Sequence, residues 1–228
     1  MCVNFRSASS ADIQAVISED VQPDLLSESA EIWPGYTAPI VLRNPETGKI
    51  AIGPARFGLI PHYVRELGKK KWATMNARSE TVATLSSFRT SWSKARFCLI
   101  PMRNYFDPNY ESGKAVRWSI RRNDADVFCV AGIWSWWKGA EHPDGIATFS
   151  MLTLNCDHHP VLKRFHAPMD EKRSLVHIDP SEYQAWLTAT SELARVMLQL
   201  PDADKLIVEP SPQPPRVKKS EVAEPSLP

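Results

Sequence analysis

The chain has 228 residues, and its 27 Lys and Arg against 26 Asp and Glu give a formal net charge of only +1. This balance excludes a surface that is basic or acidic throughout, so any anion-binding site must be a local patch. The length predicts one globular domain, which we place at residues 1–209, followed by a tail at 210–228. The Pro-, Lys- and Glu-rich composition of the tail is typical of a disordered segment.

The four cysteines form no CxxC pair, which favours reduced thiols in an intracellular protein. The first residues lack the apolar run of a secretory signal, and no apolar stretch approaches the length of a membrane span. We therefore expect a cytoplasmic protein without a membrane partner. Cys2 directly follows Met1. If Met1 is removed, Cys2 carries a free amine and a thiol on adjacent carbons, a pair of groups that no internal residue offers.

Short β-type runs separated by turn residues dominate the middle of the chain. APIVLR (38–43) and KIAIGPARFGLIP (49–61) flank NPETG, which predicts a hairpin with a type I turn. Further strand-like runs lie at 96–101, 115–120, 126–137 and 146–154. In the run at 126–137, alternation places Trp134 and Trp136 on one face and Trp137 on the other.

Three segments have helical patterns. SSADIQAVISE repeats its apolar residues at helical spacing, and SETVATL begins with Ser79, which suits an N-cap. IDPSEYQAWL combines a cap at Asp179 with a proline at the first helical position. Together the elements predict a single α+β domain, built on a mostly antiparallel, barrel-like sheet system with peripheral helices.

NARSET (76–81) is the first dense polar cluster between apolar segments. It suits a loop that enters a helix, but Asn76 also offers a neutral hydrogen-bonding side chain and Arg78 a planar donor for phosphate. Just upstream, Lys69, Lys70 and Lys71 precede Trp72. This arrangement suits a nucleic-acid backbone with a base stacked nearby, although a solvated basic loop explains it almost as well.

Two later segments contain candidate acid/base groups. Asp107 and Glu111 stand among aromatic residues, where burial favours general acid/base work, although two carboxylates in a surface turn would look the same. NCDHHPVLKRFHAPMDEKR holds Cys156, His158, His159 and His166. Their spacing does not match a structural zinc motif, so we expect no metal. A single histidine acting as acid/base is the better functional interpretation, and a structural histidine is the alternative.

Taken in order, these motifs resemble the SRAP (SOS response-associated peptidase) family. The family pattern MCGRF, WGLIP, NARAET, CLIPADGFYEW and HDRMP is similar to MCVNF, FGLIP, NARSET, FCLIP followed by YFD, and FHAPM. The matches cover roughly residues 1–210. Asp107 stands six residues after Pro101, as the family glutamate does after its proline. A divergent bacterial or phage-like member is therefore indicated.

The resemblance implies an abasic-site sensor that forms a covalent thiazolidine crosslink to single-stranded DNA through Cys2. It implies catalytic roles for Cys2, Asn76, Asp107 and His166. Arg78 would bind DNA with the help of Lys69, Lys70, Lys71 and Trp72. It also implies self-removal of Met1, lyase-type chemistry, no cofactor and a monomer.

Some positions depart from the family pattern, and other functions stay open. Asn4 replaces the arginine of MCGRF, which removes one expected phosphate contact, and the shorter Asp107 makes Glu111 a fallback for the family glutamate. One alternative is a Cys2 peptidase that cleaves an amide bond. The other is a single-strand binding module in which Cys2 has no role.

Overall fold

The structure is a computed structural model that describes residues 4–17, 30–67 and 73–213. Within these ranges the strands form one hydrogen-bonded sheet. The strands are β1 (Asn4–Ser7), β2 (Glu31–Ile32), β3 (Thr37–Arg43), β4 (Ile50–Phe57), β5 (Asn76–Arg78), β6 (Phe97–Asn109), β7 (Val116–Arg122), β8 (Phe128–Gly139), β9 (His142–Asn155), β10 (Arg173–Leu175), β11 (His177–Ile178) and β12 (Leu206–Pro210). The α-helices are α1 (Ser10–Val16), α2 (Arg89–Ser93), α3 (Tyr183–Thr188) and α4 (Ser191–Val196). The predicted single α+β domain of mostly antiparallel strands is confirmed.

Five strands close into a ring. β8 pairs with β9, β9 with β4, β4 with β3, β3 with β6, and β6 returns to β8. The β4–β9 and β5–β9 pairings are parallel, and the other pairings are antiparallel. β1 and β7 pair with the second half of the long strand β6, so Asn4 of β1 lies opposite Phe106, close to the end of that strand.

The hairpin predicted around NPETG joins β3 to β4. The Asn44 side chain accepts hydrogen bonds from the main-chain N–H groups of Glu46 and Thr47. Gly48 then adopts a φ of 70°, a left-handed conformation that glycine reaches without steric cost. These two features reverse the chain between the strands.

The ring strands separate two large apolar clusters. Along β6, Phe97 and Leu99 face one cluster, while Cys98 and Ile100 face the other, as the two-residue period of a strand requires. Trp134 and Trp137 of β8 are buried on opposite faces, as predicted. Trp136 shares the face of Trp134 but remains 49% exposed, because it lies where the apolar cluster that contains Trp134 opens to solvent.

The helix predictions have mixed outcomes. α1 begins at a capping box, in which the Ser9 hydroxyl accepts from the Asp12 N–H and the Asp12 carboxylate accepts from the Ser9 N–H. Asp179 caps a 3₁₀ turn, Pro180–Glu182, that leads into α3. The helix predicted for SETVATL is wrong: the segment forms consecutive turns, because its β-branched residues Thr81, Val82 and Thr84 disfavour a helix.

None of the helices in the described ranges is long and apolar enough to cross a membrane. Residues 214–228, which include most of the predicted tail, lie outside those ranges. The boundary of the domain at 209 therefore stays a prediction.

Candidate active site

Asp107 lies near the end of β6, opposite Trp118 of β7. Its side chain is only 2% exposed. Burial raises the pKa of the Asp107 carboxyl, and the positive charge of the nearby His166 opposes this rise only in part. A carboxyl with a raised pKa can bind and release a proton closer to neutral pH, which suits acid/base chemistry.

His166 is held beside Asp107 by main-chain contacts. The His166 N–H donates to the carbonyl of Pro108 over 2.8 Å, and an isolated bridge pairs Phe165 with Asn109. The main chain of His166 has a φ of 68°, which is uncommon for a residue other than glycine. The structure therefore brings two of the predicted catalytic residues together.

The ring of His166 is fixed by a second contact. Its Nε2 atom lies 2.7 Å from the carbonyl oxygen of Arg173. A carbonyl oxygen can only accept a hydrogen bond, so Nε2 carries a proton whether the ring is neutral or charged. It follows that Nδ1 is the nitrogen that gains or loses a proton in any acid/base step.

Arg173 also links this region to NARSET. Its guanidinium is 2% exposed and donates to the carbonyl of Thr153 over 2.8 Å. The same group forms ion pairs with Glu171 at 2.6 Å and with Glu80 at 2.7 Å. Since Glu80 belongs to NARSET and Glu171 follows FHAPM, one buried cation holds both motifs together.

Asn76 and Arg78 lie on one face of β5, which runs parallel to β9. Asn76 is aligned with Met151, so its side chain lies on the side of the cluster that contains Cys156 and Phe165. Asn76 is buried, whereas the Arg78 side chain is 49% exposed and bonded to Glu171 at 2.8 Å. Arg78 is thus a cation available at the surface, with a partner that it can exchange.

Cys156 lies close to Asp107 but is unsuited to nucleophilic chemistry. The side chain is 1% exposed. Burial, reinforced by the negative charge of Asp107, raises the pKa of the Cys156 thiol to about 12. Because the thiolate is the reactive form, Cys156 remains an inert thiol near neutral pH.

Glu111, the fallback for Asp107, has a different environment. Its carboxylate accepts two hydrogen bonds from Arg164, both at 2.8 Å, and another from the side chain of Asn109. These contacts lower the pKa of Glu111 to about 2. A carboxylate that is so firmly ionised is a weak base, so the geometry favours Asp107 over Glu111.

The remaining histidines of this segment do not form a metal site. The Nε2 atom of His159 donates to the carbonyl of Pro201 over 2.8 Å, and its Nδ1 accepts from two main-chain N–H groups. Over residues 4–17, 30–67 and 73–213, no group of three or more His, Cys, Asp or Glu side chains could hold a metal ion.

The family pattern has an arginine at the position of Asn4, and the neutral Asn4 supplies no surface charge in its place. It is 2% exposed, its Nδ2 donates to the Ile32 carbonyl, and its Oδ1 accepts from Arg117 at 2.8 and 3.2 Å. Arg117 is in turn paired with Glu31 at 2.7 Å. These contacts fix the start of β1 against β6, with Asn4 aligned to Phe106.

Five of the predicted site residues lie outside the described ranges: Cys2, Lys69, Lys70, Lys71 and Trp72. Their roles stay predictions. Sequence reasoning missed Arg173 and Glu171 as supports of the site. The charged run DEKR after FHAPM was the available signal, but nothing in it distinguishes a buried arginine from a solvated one.

Comparisons with known proteins agree with the motif order. The sequence profile of the family described as SOS response associated peptidase (SRAP) matches residues 1–213. An abasic site processing protein of Saccharomyces cerevisiae is 27% identical over 135 residues, which cover 58% of this chain and 34% of that protein. The match thus covers about a third of the length of the curated relative.

Solved structures share the fold. A protein from Bordetella bronchiseptica is 29% identical with a TM-score of 0.82, and the alignment covers 93% of this chain and 100% of that one. A protein from Bacteroides thetaiotaomicron, at 22% identity, has a TM-score of 0.73 over 91% of this chain and 90% of its own. Because the family profile matches almost the whole chain, the protein belongs to the SOS response associated peptidase (SRAP) family.

Proposed function

We propose that this protein recognises abasic sites in single-stranded DNA and crosslinks to them covalently through Cys2. The proposal rests on family membership, on a relative whose name is abasic site processing protein, and on the position of the acid/base pair. The observation that carries it is the placement of Asp107 and His166 at the end of β6, directly beside the anchored start of β1.

Chain connectivity supports a role for Cys2 at this place. Consecutive Cα atoms are 3.8 Å apart and a single residue separates Cys2 from Asn4, so the two Cα atoms can be at most about 7.6 Å apart. Asn4 is aligned with Phe106, the neighbour of Asp107. After removal of Met1, this short connection allows the amine and thiol of Cys2 to reach the acid/base pair.

The chemistry follows from the groups that Cys2 offers. An abasic sugar in its open form carries an aldehyde, and the Cys2 amine adds to this carbon and releases water to form an imine. An α-amine has a pKa of about 7.7 to 8.0, against about 10.4 for lysine, so far more of it is unprotonated near neutral pH. The Cys2 sulfur then adds to the imine carbon, its proton passes to the nitrogen, and a five-membered thiazolidine closes without oxidation or reduction.

Each described residue has a place in this sequence of steps. His166 protonates the sugar oxygen through Nδ1 as the sugar ring opens, and Asp107 accepts the proton that the amine loses. Asn76 holds the sugar or the amine in position. Arg78 exchanges Glu171 for a DNA phosphate, and Lys69 to Lys71 with Trp72 extend this contact along the strand.

A gel assay with one abasic oligonucleotide tests the proposal. The wild-type protein should give a slowly migrating band that survives denaturation, and intact mass should show loss of Met1. Cys2→Ala and Cys2→Ser both keep the α-amine once Met1 is removed but lack the thiol, so neither should give a thiazolidine and each should give a stable band only after borohydride reduces the imine. Retention of Met1, or equal bands with intact DNA, would overturn the crosslinking function.

The same assay distinguishes the alternatives. A binding module would retain DNA affinity in Cys2→Ala and form no covalent band in the wild type. A Cys2 peptidase would cleave an added peptide and form no crosslink. Self-removal of Met1 is compatible with either chemistry, so mass alone does not decide between them.

A further inference from the structure

A small pocket adjoins the candidate active site, where β1 begins. It has a volume of about 250 Å³. Its lining includes Asn4, Trp33, Phe106, Asp107, Arg117 and Gln213. We call it the Arg117 pocket. Because Asp107 belongs both to this lining and to the acid/base pair, whatever occupies the pocket lies next to the reacting groups.

The size of the Arg117 pocket restricts what it can hold. A water molecule takes up roughly 30 Å³ of the liquid, so the pocket has room for a group several times larger than water. Pockets that bury a whole small molecule usually measure roughly 300 to 1,000 Å³. The volume therefore suits one group of a larger ligand, such as a phosphate, better than a complete nucleotide.

Arg117 gives the pocket a positive charge. Its guanidinium carbon lies 3.3 Å from the centroid of the Phe106 ring, and this stacking fixes the plane of the group. Among the described residues of the lining, Asp107 alone carries a carboxyl group. Burial raises the pKa of Asp107, which disfavours a negative charge there. An anion that enters the pocket therefore meets a cation that the lining does not neutralise.

The hydrogen bonds of Arg117 leave part of the guanidinium available. Of its five N–H donors, two are bonded to Asn4 Oδ1, at 2.8 and 3.2 Å. One is bonded to Glu31 at 2.7 Å and one to the Ser211 carbonyl at 3.2 Å, so a second N–H of Nη1 remains for another acceptor. The Glu31 side chain is 29% exposed, and water hydrates its carboxylate when another anion takes its place.

The neighbouring site determines which anion reaches the pocket. In DNA, every sugar carries a phosphate on its 3′ oxygen and another on its 5′ oxygen. A sugar that reacts beside Asp107 therefore brings a phosphodiester close to the Arg117 pocket. The planar donors of a guanidinium match the oxygens of such a phosphate.

We propose that the Arg117 pocket binds the phosphate on one side of the abasic sugar, and that Arg117 exchanges Glu31 for this phosphate. The inference rests on the proposed function, because the sugar is what brings the phosphate to the pocket. The bonds from Arg117 to Asn4 and Ser211 remain during the exchange. The guanidinium is thus ordered before DNA binds, which lowers the entropic cost of the contact.

Binding should be measured with a single-stranded oligonucleotide that contains an abasic analogue without an aldehyde, so that affinity is separated from crosslinking. In two further oligonucleotides, an uncharged methylphosphonate replaces the phosphate on the 5′ or the 3′ side of the analogue. One of these replacements should weaken binding to the wild-type protein by roughly tenfold, as expected for loss of a charge-assisted hydrogen bond. Competition by inorganic phosphate beyond that of chloride at equal ionic strength would assign the pocket to a free anion instead.

Arg117→Met removes the charge and keeps an unbranched apolar side chain on Phe106. It should weaken binding of the unmodified oligonucleotide by a similar factor and abolish the effect of the methylphosphonate. The slope of log affinity against log salt concentration should fall by roughly 0.7, the value for one phosphate contact to a single strand. Arg121→Met is the matched control, because Arg121 lies on the same face of β7 and pairs with Glu209 but does not line the pocket. It should bind like the wild type.

Glu31→Gln distinguishes phosphate binding from a purely structural role of Arg117. The glutamine still accepts a hydrogen bond from Arg117 but no longer competes as an anion, so DNA should bind a few times more tightly. Glu209→Gln should change the affinity much less, and the gain from Glu31→Gln should vanish in a double variant that also carries Arg117→Met. If Arg117 only held β1 and β2 together, Glu31→Gln would weaken binding or leave it unchanged. This result stays decisive even if Arg117→Met unfolds.

The outcomes separate the two proposals. If both methylphosphonate oligonucleotides bind as the unmodified one does, or if Glu31→Gln does not tighten binding, the phosphate assignment is wrong even when crosslinks form. If the phosphate and Arg117 both matter but a true abasic oligonucleotide gives no covalent band, the crosslinking function fails and the phosphate site stands.

Discussion

The Nε2 atom of His166 donates a hydrogen bond to the main-chain carbonyl of Arg173 over 2.7 Å. In the proposed mechanism this contact leaves Nδ1 for acid/base work, and it suggests a variant that separates structure from chemistry. Glutamine places an amide N–H near the position of Nε2, so His166→Gln can keep the bond to Arg173 but cannot exchange a proton. We expect wild-type stability and a crosslinking rate that falls by roughly 10²-fold or more.

Single-turnover crosslinking and thermal unfolding of the same samples check this prediction. His166→Ala, which loses the hydrogen bond as well, serves as the comparison and should be both slower and less stable. A His166→Gln protein that reacts at the wild-type rate would show that the ring takes no part in proton transfer.

Asp107→Asn should be more stable and less active. The folded state raises the pKa of Asp107, so the native protein binds this proton more tightly than the unfolded chain does, and stability falls as pH rises above the ordinary aspartate value. Asparagine is neutral at every pH and avoids the cost of a buried charge. We expect a higher melting temperature at pH 7, a difference that shrinks towards pH 4, and a crosslinking rate lower by roughly 10²- to 10⁴-fold.

Calorimetry across this pH range tests the sign of the effect. Asp126→Asn, which changes an exposed carboxyl, is the control and should alter neither stability nor rate. At each pH, the stability of Asp107→Asn is compared with that of the wild type. The interpretation of Asp107 fails if the stability gained by the variant is smaller at pH 7 than at pH 4.

Arg173→Met should destabilise the fold and slow the reaction. The methionine removes the guanidinium donors to the carbonyl and the hydroxyl of Thr153, although the carbonyl keeps the Ser79 N–H, and it releases Glu80 and Glu171, which are exposed enough to be hydrated. We expect a loss of about 2 to 3 kcal/mol in the free energy of unfolding. Arg121→Met breaks the exposed pair with Glu209 and should cost less than about 0.5 kcal/mol.

Urea denaturation at pH 7 gives the free energy of unfolding of both variants. The crosslinking rate shows whether the loss of Arg173 disturbs His166. A cost for Arg173→Met as small as that for Arg121→Met would mean that the buried guanidinium does not hold the two motifs together.

Acid sensitivity should arise in part from His177, a buried ring stacked on Phe128 with centroids 4.7 Å apart. Burial, with a smaller contribution from the charge of Arg122, lowers the pKa of His177 to about 3. Below pH 6.5 the unfolded chain therefore binds a proton that the folded state does not. Stability should fall as pH drops from about 6.5 towards 3, by up to about 1.4 kcal/mol per pH unit.

His177→Phe keeps an aromatic ring beside Phe128 and removes this titration. Urea midpoints at pH 7 and pH 5 should therefore differ less for the variant than for the wild type. An equal pH dependence in both proteins would assign the acid sensitivity to other groups.

Much of the fold was predictable from local pattern. Alternating apolar runs predicted the main strands, and NPETG predicted its hairpin, because both depend on neighbours in the chain. The motif order predicted Asp107 and His166 as residues of one site, and the structure places them near each other, while their catalytic roles stay predictions. The helix predicted for SETVATL was wrong, because a capping serine and a few apolar residues do not outweigh the β-branched residues of this segment. Local pattern also hid Arg173, whose partner Glu80 lies 93 residues away.

The anchoring of Asn4 has a kinetic consequence. Because this residue is tied to Ile32, Arg117 and Phe106, the two residues before it form a tether of fixed origin. A group confined to a sphere of radius about 7.6 Å has an effective concentration of roughly 1 M. If the proposed crosslinking operates, tight burial of one asparagine keeps the reacting amine at a far higher local concentration than a free amine in solution would reach.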